Sequence, residues 1–163
     1  MVTLYFDTSA IVKRYHKETG SDTIDKIFEL KIGFATSFWT ILEFIVAFSF
    51  MVRRKELSRE AFSTTTSLFL KEAISKFAIT GVNDELVASA TLIAAKHALP
   101  SADCLQLASA ISLKNTLQPI KEKVVLICSD KDLCKAAEEE GIDFIDPEEE
   151  DALKKLHKIT SQI

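Results

Sequence analysis

Four carboxylates stand at points of the chain where they could do chemistry. Asp7 ends the apolar run Val2 to Phe6 and is followed by two hydroxyl residues, Thr8 and Ser9. Asp130 follows a second apolar run, Val124 to Cys128, after one intervening serine. Glu43 interrupts a helical segment that is otherwise mostly apolar, with no Lys or Arg at helical spacing to pair with. An ionised group in such surroundings is costly unless it is paired or holds a metal, so something positive is expected beside it. Asp103 falls in the first turn of a helix if Ser101 caps that helix. Three of these acids also have an ordinary reading: Asp7 as an Asx-turn former, Asp103 as a first-turn charge and Asp130 as a turn or N-cap residue. Together the four make an oxygen-ligand set suited to Mg²⁺ or Mn²⁺. Such a set does phosphoryl chemistry, in which hydrated metal supplies a nucleophilic hydroxide and neutralises charge on a phosphate during in-line displacement.

Positioning these acids falls to an alternation of strands and helices. Val2 to Phe6 and Val124 to Cys128 are continuous β-favouring runs, as expected for strands covered on both faces. Ala10 to His16 and Asp22 to Leu30 read as helices, with Ile32 to Thr36 as a short strand near Gly33. Ser37 is the expected N-cap of the long helix containing Glu43, which Arg53, Arg54 and Lys55 end where cations suit the negative end of the dipole. Ser58 then restarts a helix toward Lys76, which predicts a helical hairpin. Phe77 to Val82 reads as a strand, Asn83 or Asp84 as the cap of a helix reaching His97, and Ala102 to Lys114 as a helix beyond Pro100 and Ser101. After Val124 to Cys128, a helix runs to Glu140 and Gly141 stops it. Ile142 to Ile145 makes the last strand, and Pro147 introduces a terminal helix, acidic over Glu148 to Asp151 and basic over Lys154 to Lys158. The order predicts a three-layer α/β/α sandwich with a mostly parallel central sheet. Ligands bind such sheets outside the carboxyl ends of the strands, which is where Asp7 and Asp130 fall.

The 163 residues suffice for one domain with a full core, and no linker, repeat or low-complexity stretch divides them, so a single domain over 1–163 is expected. A net charge of −4 argues against non-specific coating of nucleic acid, which takes a basic excess, and leaves room for a local basic patch. Cys104, Cys128 and Cys134 lack paired spacing and read as core residues of a reducing compartment. No signal peptide is recognised, and the cytoplasm is the default location. Phe34 to Val52 is the one stretch that resembles a membrane span. Its central carboxylate costs about 3 kcal/mol in lipid, against about 0.3–0.6 kcal/mol returned by each large apolar side chain. Thr36, Ser37, Thr40 and Ser49 interrupt it and its start looks like strand, so no membrane association is expected.

Four blocks of the chain, in order, resemble those of the PIN-domain ribonucleases, and within that family the toxin halves of VapBC-type toxin-antitoxin pairs. Y-F-D-T-S-A-I-V-K-R-Y is similar to the family's opening, with its first acid at Asp7. T-S-F-W-T-I-L-E-F-I-V-A-F-S-F-M-V-R-R-K-E-L-S resembles the second block, with Glu43 as the acid and an arginine pair after it. L-P-S-A-D-C-L-Q-L-A-S-A resembles the third, with Asp103, and L-I-C-S-D-K-D-L-C-K-A-A-E-E-E-G-I-D-F-I-D-P the closing block, with Asp130. One such block is weakly specific, whereas four in order with all four acids are strongly so. The resemblance implies a PIN-like fold and Mg²⁺- or Mn²⁺-dependent endonucleolytic cleavage of RNA, with Asp7, Glu43, Asp103 and Asp130 as catalytic and metal-binding residues. It also implies a homodimer and inhibition by a cognate antitoxin. The chain departs from the pattern at Cys128, where a threonine two residues before the fourth acid is frequent. Ser129 is the candidate for that hydroxyl, and Thr8 and Ser9 are further supporting hydroxyls near the metal.

Arg53, Arg54 and Lys55 are candidates to contact RNA phosphate, with a solvated helix end as the ordinary alternative. Lys13, Arg14 and His16, just past Asp7, carry the same two readings, and Asp132 is an alternative or additional acid to Asp130. His97 and His157 show no partner pattern and read as packing or surface residues. The apolar hairpin from Phe38 to Leu70 exceeds what a small core needs and is expected to form a dimer contact or the groove for an antitoxin helix. Two other functions fit less well. A catalytically silent PIN-like module that binds RNA or protein would be favoured by a missing acid, yet all four are present. A haloacid-dehalogenase-type phosphatase wants D-x-D, but residue 9 is Ser9, and no Gly-rich phosphate loop occurs.

Overall fold

The first strand, β1 (Val2–Phe6), is buried along its whole length, and the sheet is built outward from it on both sides. The computed structural model describes residues 1–161. Its further strands are β2 (Gly33–Ser37), β3 (Phe77–Thr80), β4 (Lys123–Ile127) and β5 (Asp143–Ile145). They pair in parallel in the order β3-β2-β1-β4-β5, with Tyr5 of β1 opposite Ala35 of β2 and Leu126 of β4. The helices are α1 (Thr8–Tyr15), α2 (Ser21–Phe28), α3 (Phe38–Arg53), α4 (Arg59–Lys76), α5 (Asp84–His97), α6 (Ser101–Leu117), α7 (Lys131–Glu139) and α8 (Ala152–Ser161).

Helices on both faces explain why the central strands are apolar without alternation. The period of two still sorts their side chains between the layers. Leu4 and Phe6 join Phe34, Phe44 and Ile127 under α1 to α4 and α8, while Tyr5 joins Leu107, Leu126 and Leu133 under α5 to α7. The chain moves from β1 out to β2 and β3, then returns across the opposite face through α5 and α6 to pair β4 with β1. That reversal is a topological switch, and it leaves a crevice beyond the carboxyl ends of β1 and β4.

Local signals set most boundaries. Ser37, Ser58 and Asn83 cap α3, α4 and α5 by accepting the backbone N–H of the third residue on, and Gly141 takes the left-handed conformation after α7. Two expectations are corrected. Pro100, not Ser101, stands at the cap of α6, which leaves Asp103 in the first turn. The terminal helix begins at Ala152 rather than after Pro147. Asp146 Oδ1 accepts the Glu148 N–H at 2.9 Å and Glu148 is drawn to Lys13, so this acidic stretch folds as turns that lead into α8. Residues 34–52 divide between β2 and α3, and no helix among the described residues is long and apolar enough to cross a membrane.

Candidate metal centre

β1 and β4 each hand their acid to a helix start. Asp7 donates its backbone N–H to Ile127 O at 3.0 Å, continuing the sheet, and then caps α1: its Oδ2 accepts the Ser9 N–H at 2.9 Å and the Ser9 hydroxyl at 2.6 Å. It is only 5% exposed. Burial pushes its carboxyl above the usual carboxylate range, against the pull of the Ser9 hydrogen bonds, and Glu43 adds to the rise. Asp130 caps α7, its Oδ1 accepting the Leu133 N–H at 2.9 Å. The cap role of both acids is therefore real, and it holds them at the crevice.

Glu43 lies in the second turn of α3, and its partners are neutral. Its Oε2 accepts the Thr8 hydroxyl at 2.6 Å and the Gln106 side-chain amide at 2.7 Å, and no Lys or Arg pairs with it among the described residues. Gln106 is fully buried. Its amide also reaches Thr40 Oγ1 at 2.9 Å, and its Oε1 accepts the Tyr5 hydroxyl at 2.9 Å. Sequence reading missed Gln106, Thr40 and Tyr5. The one available signal was a glutamine three residues after Asp103, on the same side of a helix.

Asp103 completes the group from the first turn of α6. Burial first, and then the charges of Asp7, Asp130, Glu43 and Asp132, push its carboxyl up to about 7. Asp103 thus feels the three other candidate acids and Asp132 at once. Among the described residues no three Asp, Glu, His or Cys side chains come close enough to enclose an ion on their own. The donor set nevertheless fits a hydrated divalent cation, since Mg²⁺ keeps several waters and takes only one or two carboxylates directly. The uncompensated negative charge and the neutral hydrogen bonds to Oδ2 of Asp7 and Oε2 of Glu43 are what such an ion requires.

The supporting hydroxyls divide. Thr8 serves Glu43 and Ser9 serves Asp7, while Ser9 Oγ also accepts the Ser129 N–H at 3.0 Å. The Ser129 hydroxyl is buried without a hydrogen-bond partner among the described residues. Cys128 instead receives the Asp130 N–H on its sulfur at 3.2 Å. The neighbouring Cys134 thiol, burial and Asp7 hold the Cys128 thiol far above its ordinary range, so it stays protonated.

The cations are not gathered at the acids. Arg53, Arg54 and Lys55 are exposed at the end of α3, and Arg53 lies about 15 Å further along the helix axis than Glu43. Lys13 is 5% exposed and bridges Glu18 at 2.9 Å and Glu148 at 2.7 Å, while Arg14 pairs with Asp25 at 2.7 Å and lies over the Phe28 ring. His97 is held between Glu139 and Glu140, and His16 and His157 are exposed. A cleft of about 350 Å³ lined by Thr8, Ser9, Lys13, Ser129, Asp130 and Glu148 opens beside the acids. A larger groove of about 600 Å³ between α5 and α6 holds a single titratable group, Glu85, and so lacks the means for acid-base or metal chemistry.

The family model of the PIN domain matches residues 4–139. The chain belongs to the PIN domain family. Solved structures with a similar fold include VapBC2 from Rickettsia felis bound to a DNA fragment from the promoter, at TM-score 0.62 and 15% identity, covering 88% of this chain and 97% of that one. FitAcB from Neisseria gonorrhoeae matches at 0.59 and 17%, covering 90% and 98%. VapBC-1 from nontypeable Haemophilus influenzae matches at 0.58 and 13%, covering 91% and 100%. At these identities the likeness is one of fold. No curated protein matches the chain.

Proposed function

We propose that this chain is a metal-dependent endoribonuclease and the toxin component of a VapBC-type pair, acting in the cytoplasm as a homodimer restrained by a cognate antitoxin. What supports the reading most is that Asp7 and Asp130 stand at the carboxyl ends of the neighbouring parallel strands β1 and β4, at the topological switch, while Asp103 feels the charges of Asp7, Asp130 and Glu43 and no protein cation pairs with any of the four among the described residues. In this reading the four carboxylates hold Mg²⁺ or Mn²⁺, which when bound supplies water activation and neutralises charge building on a phosphate under in-line attack. Protein groups do the rest. Ser9 orients Asp7, and Thr8 and Gln106 orient Glu43, so the carboxylates need not reorganise as the ion arrives. Arg53, Arg54 and Lys55 contact phosphates of a strand that runs along α3 away from the scissile bond. Membership of the PIN domain family supports the nuclease, and the VapBC names of the structural neighbours support the antitoxin. An exposed apolar row along α3, Phe38, Leu42, Val46 and Phe50, supports a protein contact on that face.

The test is incubation of purified protein with a panel of structured RNAs in Mg²⁺, Mn²⁺ or EDTA. Cutting is expected only with metal, and Asp7→Asn and Glu43→Gln are each expected to slow it about 100-fold or more. Metal binding without cutting would favour the silent binding module. Absence of metal binding would remove the proposed centre.

A further inference from the structure

The polar cluster behind Glu43 is more ordered than a buried glutamine needs for its own satisfaction. A carboxylate only accepts, so the contact at 2.7 Å turns the Gln106 nitrogen toward Glu43 and the Gln106 oxygen toward Tyr5. The Tyr5 hydroxyl, 2.9 Å from that oxygen, must therefore donate. The second amide hydrogen is available to Thr40 Oγ1 at 2.9 Å, and Thr40 is itself tied to the cap residue Ser37, 3.2 Å away. Glu43 thus fixes the direction of the amide and the amide that of the Tyr5 hydroxyl, while Thr8 Oγ1 at 3.1 Å lies beside Thr40 as a further acceptor for the amide. Tyr5, Thr40 and Gln106 are all fully buried, on a strand and two helices, so the chain of donors is rigid. It terminates on Oε2 of Glu43, and Oε1 has no protein donor among the described residues.

We propose that Gln106 is the positioning residue of the metal centre: its amide, oriented by the Tyr5 hydroxyl, joins the Thr8 hydroxyl in saturating one oxygen of Glu43 and leaves the other for a divalent cation. The inference rests on the metal-centre reading above and adds a residue to it that never touches the ion or the RNA. A glutamine that merely filled a polar gap in the core would influence stability and leave cation affinity alone.

Gln106→Met keeps length and bulk while removing both hydrogen-bonding ends. Mn²⁺ binding, read by electron paramagnetic resonance without RNA and well below the unfolding temperature, is expected to weaken about tenfold or more. Combining it with Glu43→Gln is expected to weaken binding no further than Glu43→Gln alone, because both act through one carboxylate. An unchanged Mn²⁺ Kd in folded Gln106→Met overturns the proposal while leaving the centre intact. If Glu43→Gln itself leaves the Kd unchanged, Glu43 is no ligand and the proposal falls with it. Should Gln106→Met fail to fold, the wild-type side-chain amide decides by nuclear magnetic resonance: it is expected to be protected from exchange, to shift on Mg²⁺ addition and to lose protection in Tyr5→Phe. Rapid exchange and indifference to Mg²⁺ would overturn the assignment.

Discussion

Burial first, and then the neighbouring acids, place an electrostatic cost on Asp103. Its folded carboxyl titrates at about 7 against an ordinary 3.8, so between these values the folded state holds a proton that the unfolded chain has released. Stability then falls as pH rises through this window, and the full penalty is present above it. The gap would correspond to about 4 kcal/mol for a fully shielded group; because Asp103 is only half-buried, about 1–2 kcal/mol is expected. Asp103→Asn should therefore raise the urea-unfolding free energy by that amount at pH 8 in EDTA and leave it unchanged at pH 4. An equal effect at both pH values would show that the folded chain does not raise the Asp103 carboxyl.

The elements hold these residues through their ends. β1 and β4 stop where Asp7 and Asp130 become caps, so the acids move only if a strand end and a helix start move together. The connection from α1 to α2 is clamped in a second way. Gly20 lies in the left-handed region at φ +87°, and a Cβ there would meet the Pro147 carbonyl at 3.0 Å and Lys13 Cδ at 3.2 Å. The same neighbourhood contains the buried Lys13 ammonium between Glu18 and Glu148, where burial opposes the charge and the two carboxylates outweigh it. Gly20→Ala is accordingly expected to cost about 1–3 kcal/mol of stability, measured by urea unfolding. A neutral result would mean that the Pro147 turn yields freely and does not brace α1.

At the scale of the whole molecule, one sheet and two helical layers leave an apolar face uncovered. Phe38 is 59% exposed and Leu42 52%, and Val46 and Phe50 continue the row. Behind it, Phe44 stacks on Phe48 and Phe69, so α3 is anchored on one side and bare on the other. In the homodimer proposed above this face would be the contact. Leu42→Lys combined with Val46→Glu should convert a dimer into a monomer in sedimentation experiments with unchanged helical circular dichroism. A wild-type protein that already sediments as a monomer would assign the face to a different partner.

Local sequence was enough for the strand runs, the serine and asparagine caps and the two acids at strand ends, because periodicity and capping act within a few residues. It also marked Glu43 as anomalous, since an apolar helix offered it no partner. Tertiary structure alone decided the rest. The strand ends that carry Asp7 and Asp130 lie side by side only because the sheet order sets β4 beside β1, and Gln106 reaches Glu43 only because α6 crosses back over the far face of the sheet. The same long-range packing drew Glu148 to Lys13 and turned the expected start of a helix into a turn. Arg53, Arg54 and Lys55 follow Glu43 closely in sequence yet stand well away from it, because an α-helix advances about 1.5 Å with every residue. Proximity along the chain fixed the caps and strand ends, whereas the partners of each carboxylate depended on contacts between residues tens of positions apart.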